Sequence, residues 1–393
     1  MELKINLKVL DLFSGIGGLT LGFENVGYET LLALDFDHNI KKTFQSNFRK
    51  IEFINDDIRK IDLVKILQSK NLIDNIDMIV GGPPCQGYSM ANRKRITHDP
   101  RNMLFMEFYK AVKNLKPKCF LIENVSGFNN KNIKLDNKLE TVSNTMVNLF
   151  NEINYEIKFL TFEAQNLGVP QLRKRVLVIG TNLDDKKVNL KNNKIGYLED
   201  TSYYNHETKN KKNQFDFFTN NLPKTPNVWD ALSDLPIIEA GENGNEKSYI
   251  SSPKNDFQEY LRSNSNNVKN HVSTPHSQDA ISRMSMIKQG QNFRDLPSQL
   301  QTKSVHSGAW GRLETRGYSP TITTRFDTPS VGRVIHPFQN RTITVREAAR
   351  LQSFPDNFIF YGTRTSQGKQ VGNAVPPLVA KSIGLMFKKQ FFK

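Results

Sequence analysis

The sequence predicts an α/β protein whose core is a doubly wound, mostly parallel sheet of seven strands, with a smaller inserted domain. In residues 1–180, short apolar runs alternate with longer amphipathic segments, a pattern typical of parallel strands joined by crossover helices. From about residue 181 the chain becomes polar and rich in Asn and Lys, as in KKVNLKNNK. This change predicts a first domain over 1–181, an inserted domain over 182–340 and a segment over 341–393 that returns to the first.

The predicted strands are the apolar runs Val9–Phe13, Leu31–Phe36, Ile51–Asn55, Asp77–Val80, Cys119–Glu123, Glu156–Phe162 and Val176–Gly180. Later in the chain, Ser319–Arg325 has the composition of an extended segment, and Val345–Phe354 and Leu378–Phe387 have helical patterns. Ligands of doubly wound sheets bind beyond the carboxyl ends of the strands. We therefore examine the residues that follow each strand.

Length and cysteine content limit the class of protein. A chain of 393 residues suits two or three domains, and two cysteines cannot form a disulfide framework. The N-terminus has no charged-then-apolar leader, and the sequence has no apolar run of 18 residues. We therefore expect a cytoplasmic protein with no membrane partner.

The net charge of +15 favours a polyanionic partner. Residues 319–393 hold eleven Lys and Arg against three Asp and Glu. The arginines of this quarter are Arg325, Arg333, Arg341, Arg346, Arg350 and Arg364. Because guanidinium groups match phosphates and guanine edges, the last quarter predicts a nucleic-acid face, although a charge excess is also typical of a solvated surface.

The first three strand ends together indicate an adenosine pocket. DLFSGIGG follows the first strand, and its Gly15 and Gly17 allow a close backbone approach to a ligand, although the spacing is not GxGxxG. Asp35 ends the second strand, where such folds bind ribose hydroxyls, and Phe36 could cover an adenine. Asp57 follows the third strand and could accept from an adenine amino group. Each feature alone fits a tight turn or a solvated strand end, but together, without a phosphate cradle, they indicate S-adenosylmethionine.

The next strand ends carry candidate catalytic groups. Cys85, in PPCQ, follows the fourth strand, and a thiolate there suits conjugate addition. The alternative role, a small buried hydrophobe, fits Cys119 better. Glu123 ends the fifth strand and, if kept protonated, could bind a base edge. Arg173 and Arg175 lie two apart on an extended segment and could bind a carbonyl oxygen and a phosphate.

Five ordered motifs, FSGIGG, PPCQ, ENV, QLRKR and QVGNAVPP, resemble those of the cytosine-5 DNA methyltransferases, of the bacterial restriction-modification type. The resemblance extends from Val9 to about Ala380, except for the insertion. It implies an enzyme that flips a cytosine out of duplex DNA and methylates C5 from S-adenosylmethionine. Carried over by motif, Cys85 is the nucleophile, Glu123 the acid at N3, and Arg173 and Arg175 hold base and phosphate. The motifs also imply a set of cofactor contacts, which are Phe13, Gly15, Gly17, Asp35, Phe36, Asp57, Ile58, Pro83, Leu104, Asn373 and Val375.

The expected substrate is double-stranded DNA, bound by a lid after Cys85 and by the inserted domain, which serves target recognition. The candidate contacts are Ser89, Arg93, Lys94, Arg95, His306, Trp310, Arg312, Arg316 and Arg325. Trp310 has an alternative role, packing a small core. We expect a monomer with no metal ion, and the resemblance leaves open a cognate restriction endonuclease as a second partner.

Three alternatives to a DNA methyltransferase remain at this point. A transfer-RNA cytosine methyltransferase would share the catalytic motifs, but such enzymes generally lack an insertion of over a hundred residues. A non-catalytic DNA-binding relative could have lost Cys85 or Glu123, yet both are present. A dehydrogenase fits neither the glycine spacing nor the PPCQ motif.

Overall fold

The computed structural model describes residues 7–73, 76–84, 104–135, 138–185, 225–302, 304 and 306–391. Within them the strands are β1 (Leu7–Leu12), β2 (Tyr28–Leu34), β3 (Glu52–Ile54), β4 (Met78–Gly81), β5 (Cys119–Val125), β6 (Asn132–Leu135), β7 (Lys138–Thr141), β8 (Tyr155–Glu163), β9 (Gln171–Leu172), β10 (Lys174–Asn182), β11 (Gly311–Arg312), β12 (Ser319–Pro320) and β13 (Arg333–Ile335). The helices are α1 (Gly18–Glu24), α2 (Lys41–Asn47), α3 (Leu63–Ser69), α4 (Leu104–Leu115), α5 (Val142–Glu152), α6 (Val228–Leu232), α7 (Asp256–Arg262), α8 (Gln278–Ser285), α9 (Val345–Leu351), α10 (Arg364–Asn373) and α11 (Pro377–Phe391).

Seven strands form one sheet in the order β3-β2-β1-β4-β5-β10-β8. β10 is antiparallel to both of its neighbours, and the other adjacent pairs are parallel. All seven predicted strands are present, and the predicted α/β class with a mostly parallel sheet is confirmed. The chain runs outward from β1 to β3 and then returns to place β4 on the other side of β1. The direction of winding therefore reverses between β1 and β4, and ligands of such sheets bind beyond the carboxyl ends at this point.

Aromatic packing holds the helices on the sheet. The ring of Phe120 on β5 lies 5.8 Å from that of Phe108 on α4 and 4.3 Å from that of Phe150 on α5, centroid to centroid. All three side chains are fully buried. Gly180 on β10 is opposite Phe120, and a Cβ there would lie 1.9 Å from the Phe120 ring. The sheet therefore needs a glycine at this position.

A second glycine sets the entry to the turn that leads to Cys85. Gly81 pairs with Leu12 at the carboxyl ends of β4 and β1. A Cβ on Gly81 would lie 2.1 Å from the Leu12 carbonyl oxygen. The two backbones can approach this closely only because residue 81 has no side chain.

The chain divides into two compact units, and their boundaries differ from the predicted ones. The first unit comprises Met1–Glu163, Lys174–Glu199 and Ala380–Lys393, and the second comprises Ala164–Arg173 and Asp200–Val379. The return to the first unit therefore begins near residue 380 rather than 341, and a short segment before β10 belongs to the second unit. Two buried or partly buried contacts explain the later return, because the Arg350–Asp234 ion pair and the hydrogen bond from Tyr249 to Asp356 join the segment after residue 341 to residues 234–249 of its own unit.

The centre of that network is Arg350, on α9. Its guanidinium contacts Asp234 at 2.5 Å and Asp356 at 2.6 Å, and all three side chains are fully buried. Arg346 is also buried and lies 3.6 Å from Asp356. Nearby, the buried Arg341 contacts Glu347 at 2.7 Å. These contacts hold the pKa of Arg350 above its usual range and the pKa values of Asp356 and Glu347 below theirs.

The prediction that the basic last quarter forms a nucleic-acid face is therefore wrong for three of its six arginines. Arg341, Arg346 and Arg350 are interior residues whose guanidiniums hold the second unit together. Arg333 is half-buried and donates to the Arg312 carbonyl at 2.8 Å. Buried charges persist because each is paired and hydrogen-bonded.

The extended segment predicted at Ser319–Arg325 is shorter as a strand. Only Ser319 and Pro320 form a ladder, with β9. The two predicted C-terminal helices are present as α9 and α11. Among the residues that the structure describes, no helix combines the length and apolarity needed to cross a bilayer.

Candidate active site

The loop between β1 and α1 leaves open space where the sheet reverses its winding. Phe13, Gly15 and Gly17 all have positive φ angles, of 58°, 55° and 88°. A Cβ on Gly15 would meet nothing within 4 Å, whereas one on Gly17 would lie 2.4 Å from the ring of Phe48. Gly17 is therefore needed for packing, and Gly15 borders a free volume that a ligand can fill.

Asp35 is tied to this loop. One carboxylate oxygen accepts from the Gly15 amide at 2.9 Å and the other from the Asp37 amide at 2.9 Å. Burial raises the pKa of the Asp35 carboxyl, against these hydrogen bonds. The neighbouring Phe36 has 58% of its surface exposed, an unusual exposure for a phenyl ring. The structure thus places the predicted ribose-type acid and the predicted adenine cover next to the glycine loop.

Two polar groups, one at the end of β1 and one in the same loop, were missed by the sequence reasoning. The Asp11 carboxyl is fully buried and accepts from the Thr20 hydroxyl at 2.6 Å, but its other oxygen, Oδ1, has no partner in the described part of the chain. The buried Ser14 hydroxyl also lacks a partner there. Both residues lie within the motif DLFSGIGG, so their place in the glycine-rich motif could have identified them. Buried polar atoms need hydrogen bonds, so these two indicate a polar ligand or water beside the loop.

Asp57, the predicted acceptor for an adenine amino group, is paired within the chain. It caps the short 3-10 turn Ile58–Lys60 by accepting from the Arg59 amide at 3.0 Å, and the Arg59 guanidinium lies 2.5 Å from its carboxylate. The hydrogen bond from Arg59 lowers the pKa of Asp57. Ile58 and Leu104 are buried, with 8% and 6% of their surfaces exposed, so each can offer a ligand only a small apolar contact.

Glu123 lies on β5 with a cation beside it. Its carboxylate oxygen is 3.4 Å from the Nε of Arg175, and its side chain is 11% exposed. Asn124 donates to the Pro83 carbonyl at 3.1 Å and thereby holds the Gly-Pro-Pro turn against β5. A Cβ on Gly82 would lie 3.9 Å from the Glu123 carboxylate. The acid, its guanidinium partner and the turn that leads to Cys85 therefore share one corner of the first unit.

Several predicted site residues lie outside the described residues. They are Cys85, Ser89, Arg93, Lys94 and Arg95. Their roles stay predictions.

Three of the predicted catalytic and cofactor-binding residues belong to the second unit. Arg173 is buried, and its guanidinium donates to the Gly372 carbonyl at 3.3 Å. Asn373 is the last residue of α10 and is exposed, and Val375 is 8% exposed. A Cβ on Gly372 would lie 2.5 Å from the Thr323 carbonyl carbon, so this glycine permits a close backbone crossing. Arg173 and Arg175 thus fall in different units, although they are two residues apart.

Arg312 was expected to contact DNA, and the structure contradicts this. Only 4% of it is exposed, and its guanidinium donates five hydrogen bonds within the chain. Burial lowers the pKa of Arg312 to about 10. Its donors are used by backbone carbonyls and one amide, so none is left for a phosphate.

Trp310 also lies in the interior, which is the alternative role considered from the sequence. It is 7% exposed, packs with Met284, Ile287 and Phe293, and has the guanidinium of Arg283 4.7 Å from its ring.

Of the predicted DNA contacts that the structure describes, three remain available to a nucleic acid. His306 and Arg316 are exposed. Arg325 is exposed too, although it pairs with Asp327 at 3.3 Å. Within the described residues, no group of three or more His, Cys, Asp or Glu side chains is arranged to hold a metal ion.

The site's composition fits an adenosine-bearing cation. Two unpartnered buried polar atoms, two carboxyls, an open glycine position and an exposed phenyl ring face or border the same loop. This set provides acceptors for hydroxyl and ammonium groups and a flat apolar surface for a base.

Comparison with known proteins identifies similar sequences over nearly the whole chain. The family model described as C-5 cytosine-specific DNA methylase matches residues 7–389. The type II methyltransferase M.DdeI of Desulfomicrobium norvegicum is 33% identical, over 96% of this chain and 87% of its own length. The type II methyltransferase M1.HphI of Haemophilus parahaemolyticus is 31% identical, over 96% of this chain and 86% of its own. Among solved structures, an E. coli protein described as a DNA modification methyltransferase encoded within a prophage has a TM-score of 0.74 at 28% identity, over 98% of this chain and 100% of its own.

Proposed function

This chain belongs to the C-5 cytosine-specific DNA methylase family, and from that premise we propose that Cys85, Glu123, Arg173 and Arg175 carry out its reaction. The protein is a DNA (cytosine-5)-methyltransferase that uses S-adenosylmethionine. The observation that supports the residue assignment is the Glu123–Arg175 pair, 3.4 Å apart, beside the turn that leads to Cys85. The transfer-RNA alternative is not favoured, because the family model is described as a C-5 cytosine-specific DNA methylase and the similar E. coli structure as a DNA modification methyltransferase.

The cofactor is held by the β1–α1 loop and the residues after β2 and β3. The Asp35 carboxylate accepts from ribose hydroxyls, and the exposed Phe36 ring covers the adenine. Pro83, Leu104, Asn373 and Val375 complete this set by family resemblance, as do Phe13, Gly15, Gly17, Asp57 and Ile58. When bound, S-adenosylmethionine supplies an electrophilic methyl group.

Cytosine C5 is a poor nucleophile, and Cys85 activates it. The thiolate forms a bond to C6, and the C5–C6 π electrons become those of an enamine. Glu123 donates to N3 and so stabilises the charge that would otherwise collect on the ring. After C5 has gained its methyl group, the C5 proton leaves to a base and the C6–sulfur bond breaks, which restores the ring and the thiolate.

Arginines hold the flipped base. By family resemblance, Arg173 and Arg175 hold the base and a phosphate. Arg175 also contacts the Glu123 carboxylate, and Arg173 also donates to the Gly372 carbonyl of its own unit. A base in a duplex is out of reach, so the nucleotide must leave the stack at a cost of about a few kcal/mol. Ser89, Arg93, Lys94 and Arg95, in the loop after Cys85, and His306, Arg316 and Arg325 contact the DNA and offset this cost.

We further propose that the protein acts in the cytoplasm as a monomer, associated with the nucleoid when bound to DNA, and that a restriction endonuclease cleaves the same sequence. Light scattering of the purified chain tests the monomer, and a dimer would contradict it. Methylation-sensitive sequencing of DNA from expressing cells identifies the target, and an endonuclease blocked by methylation at that target would be the partner.

A duplex with 5-fluorocytosine at the target tests the covalent step. Hydrogen can leave C5 as a proton, whereas fluorine cannot leave as a cation, so the reaction stops with Cys85 joined to C6. We expect an adduct stable on a denaturing gel that requires S-adenosylmethionine and is absent in Cys85→Ala. An adduct formed equally by Cys85→Ala would overturn the assignment of the nucleophile.

A further inference from the structure

The mechanism above leaves one buried acid unused. Asp11 is the penultimate residue of β1, and its carboxyl is fully buried. One oxygen accepts from Thr20 at 2.6 Å, and the other has no partner among the residues that the structure describes. Burying a carboxyl oxygen without a hydrogen-bond partner destabilises the folded state unless another interaction compensates for the lost hydration.

The position of Asp11 links it to the cofactor loop. It precedes Phe13, the first residue of that loop, by two positions, which on a strand is about 6–7 Å. The loop's Gly15 amide binds Asp35, the second carboxyl of this corner, at 2.9 Å. Neither Asp11 nor Asp35 has a Lys or Arg partner within ion-pair distance in the described part of the chain. Two acidic side chains therefore lie beside the site, and neither is paired with a cation in the described part of the chain.

We propose that Asp11 is the buried counter-charge of S-adenosylmethionine and that it releases a proton when the cofactor binds. The inference rests on the cofactor site proposed above. Because Asp11 is fully buried, it acts on the bound cofactor through its charge and not by direct contact, so it is a positioning residue. The Asp11 O–H bond breaks and its proton goes to the buffer, with no redox change.

The electrostatics of the free protein favour a protonated Asp11. Burial raises the pKa of Asp11 to about 7, the Thr20 hydrogen bond opposes this, and the charge of Asp35 adds to it. Asp35 is the one charged group among the causes of this shift. The other ionisable groups on the neighbouring elements are Lys8 on β1, Glu24 on α1, Tyr28 and Glu29 on β2, and Lys381, Lys388 and Lys389 on α11. A cation bound at the loop favours the ionised form of Asp11, because a nearby positive charge stabilises a carboxylate and so lowers its pKa.

The proposal also separates cofactor from product. S-adenosylmethionine carries a sulfonium charge, which the product S-adenosylhomocysteine lacks. The ionised Asp11 therefore attracts the cofactor more than the product, and it regains its proton once the methyl group has been transferred. Above pH 7 the protein should then favour the cofactor over the product more than it does at pH 6.

Calorimetry of the full chain in two buffers of different ionisation enthalpy measures the proton directly. At pH 7 we expect S-adenosylmethionine to release roughly half a proton, since a group with a pKa near the pH is half ionised, and S-adenosylhomocysteine to release clearly less. Asp11→Asn should abolish the release and reduce cofactor affinity at pH 8 several-fold, with little change for the product. Asp77→Asn is the matched control, because Asp77 lies at the amino end of the sheet and pairs with Lys118.

Thr20→Val tests the proposal without removing the acid, in case Asp11→Asn does not fold. Losing the hydroxyl that stabilises the ionised form should move the pH of half-maximal release upward. Equal release by cofactor and product, or unchanged release in Asp11→Asn, would overturn the proposal. Cofactor binding without any proton release would also overturn it while leaving the cofactor site intact. Absence of cofactor binding by the wild-type chain would instead overturn the site itself, and the role of Asp11 with it.

Discussion

At the scale of single residues, Glu123 is distinguished by the groups that surround it. It is nearly buried, it faces a guanidinium 3.4 Å away, and it adjoins the turn before Cys85. Glu123→Gln keeps the shape of the side chain but cannot exchange a proton at N3. We expect kcat to fall by about 10²–10⁴-fold, the usual contribution of a positioned acid. Single-turnover methylation measures this, and cofactor affinity should not change.

Glu152→Gln is the matched control for that substitution. Glu152 is the exposed last residue of α5, so its turnover should equal that of the wild type. Near-normal turnover in Glu123→Gln would remove the acid from the mechanism.

Asp35 gives a second test at this scale. Asp35→Ala removes the acceptor of the Gly15 amide and the proposed ribose acceptor together. We expect S-adenosylmethionine binding to weaken by about 1.5–3 kcal/mol, the value for hydrogen bonds to a charged group. Calorimetry measures the cofactor affinity, and the affinity for DNA should change little. Asp56→Ala, at an exposed position, serves as the control. Unaltered cofactor affinity would mean that Asp35 does not bind the cofactor and only terminates its strand.

At the scale of elements, the junction of β1 and β4 depends on Gly81. Its missing Cβ would lie 2.1 Å from the Leu12 carbonyl oxygen. Gly81→Ala must therefore separate the strands, at about 1–3 kcal/mol of unfolding free energy for an overpacked site. Turnover should fall as well, because the same strand end leads to Cys85. Urea denaturation and methylation assays measure the two effects.

Gly127→Ala, in the turn after β5, is the control for Gly81→Ala. A Cβ on Gly127 would meet nothing within 4 Å, so stability and turnover should stay near wild type. Equal losses in both variants would mean that the close approach of β1 and β4 is not the cause.

The elements also show what a sequence can and cannot predict. The seven strands of the main sheet were predictable, because each is a continuous apolar run between amphipathic helices. The placement of Arg350 was not, because its partner Asp234 is 116 positions away and a local pattern favours a surface position for an arginine. The same limitation applied to Arg312. Asp57 was placed after the correct strand, but the motif alone could not predict its pairing with Arg59.

At the scale of the whole molecule, buried titratable groups make stability depend on pH. Burial lowers the pKa of His336 to about 3, and the pKa values of His271 and His276 are also lowered by burial. The folded state thus binds fewer protons than the unfolded chain below the usual histidine pKa of about 6.5. Stability is therefore fully present above that pH and should decrease as the pH falls toward 3, by up to about 1.4 kcal/mol per pH unit for each histidine. Glu347, whose pKa is also held low, adds to the loss as the pH falls below its usual value.

Tryptophan fluorescence measures the pH dependence of unfolding in the second unit alone, because both tryptophans, Trp229 and Trp310, lie there. The urea midpoint should fall between pH 6.5 and 4.5. His336 accepts from the amides of Phe338 and Gln339, a role that His336→Asn can keep without a titrating ring. That variant should show a shallower pH dependence, and an unchanged one would exclude His336 as a source.

The salt dependence of DNA binding also belongs to the whole molecule. Because Arg341, Arg346 and Arg350 are interior, the phosphate footprint must come from exposed cations. We expect a log–log slope of affinity against salt steeper than about −2, and removing one phosphate-binding cation should make that slope shallower by about 0.9. Arg316→Ala and Arg325→Ala test this one at a time, with Lys254→Ala as an exposed control. Slopes that stay constant in both variants would assign the footprint to other residues.

The chain leaves the sheet between β8 and β10 for ten residues, Ala164–Arg173, that belong to the second unit. For anyone building chimaeras of these enzymes, this detour means that the second unit is not encoded as one cassette. A graft confined to the long insertion would leave the decapeptide of the old host behind, with Gln171 still shaped to bind the Leu351 carbonyl and Ile322 amide of the unit that was removed. Exchange of specificity by recombination therefore requires two crossovers more than the linear map suggests, and natural mosaics should carry the decapeptide and the insertion from the same parent.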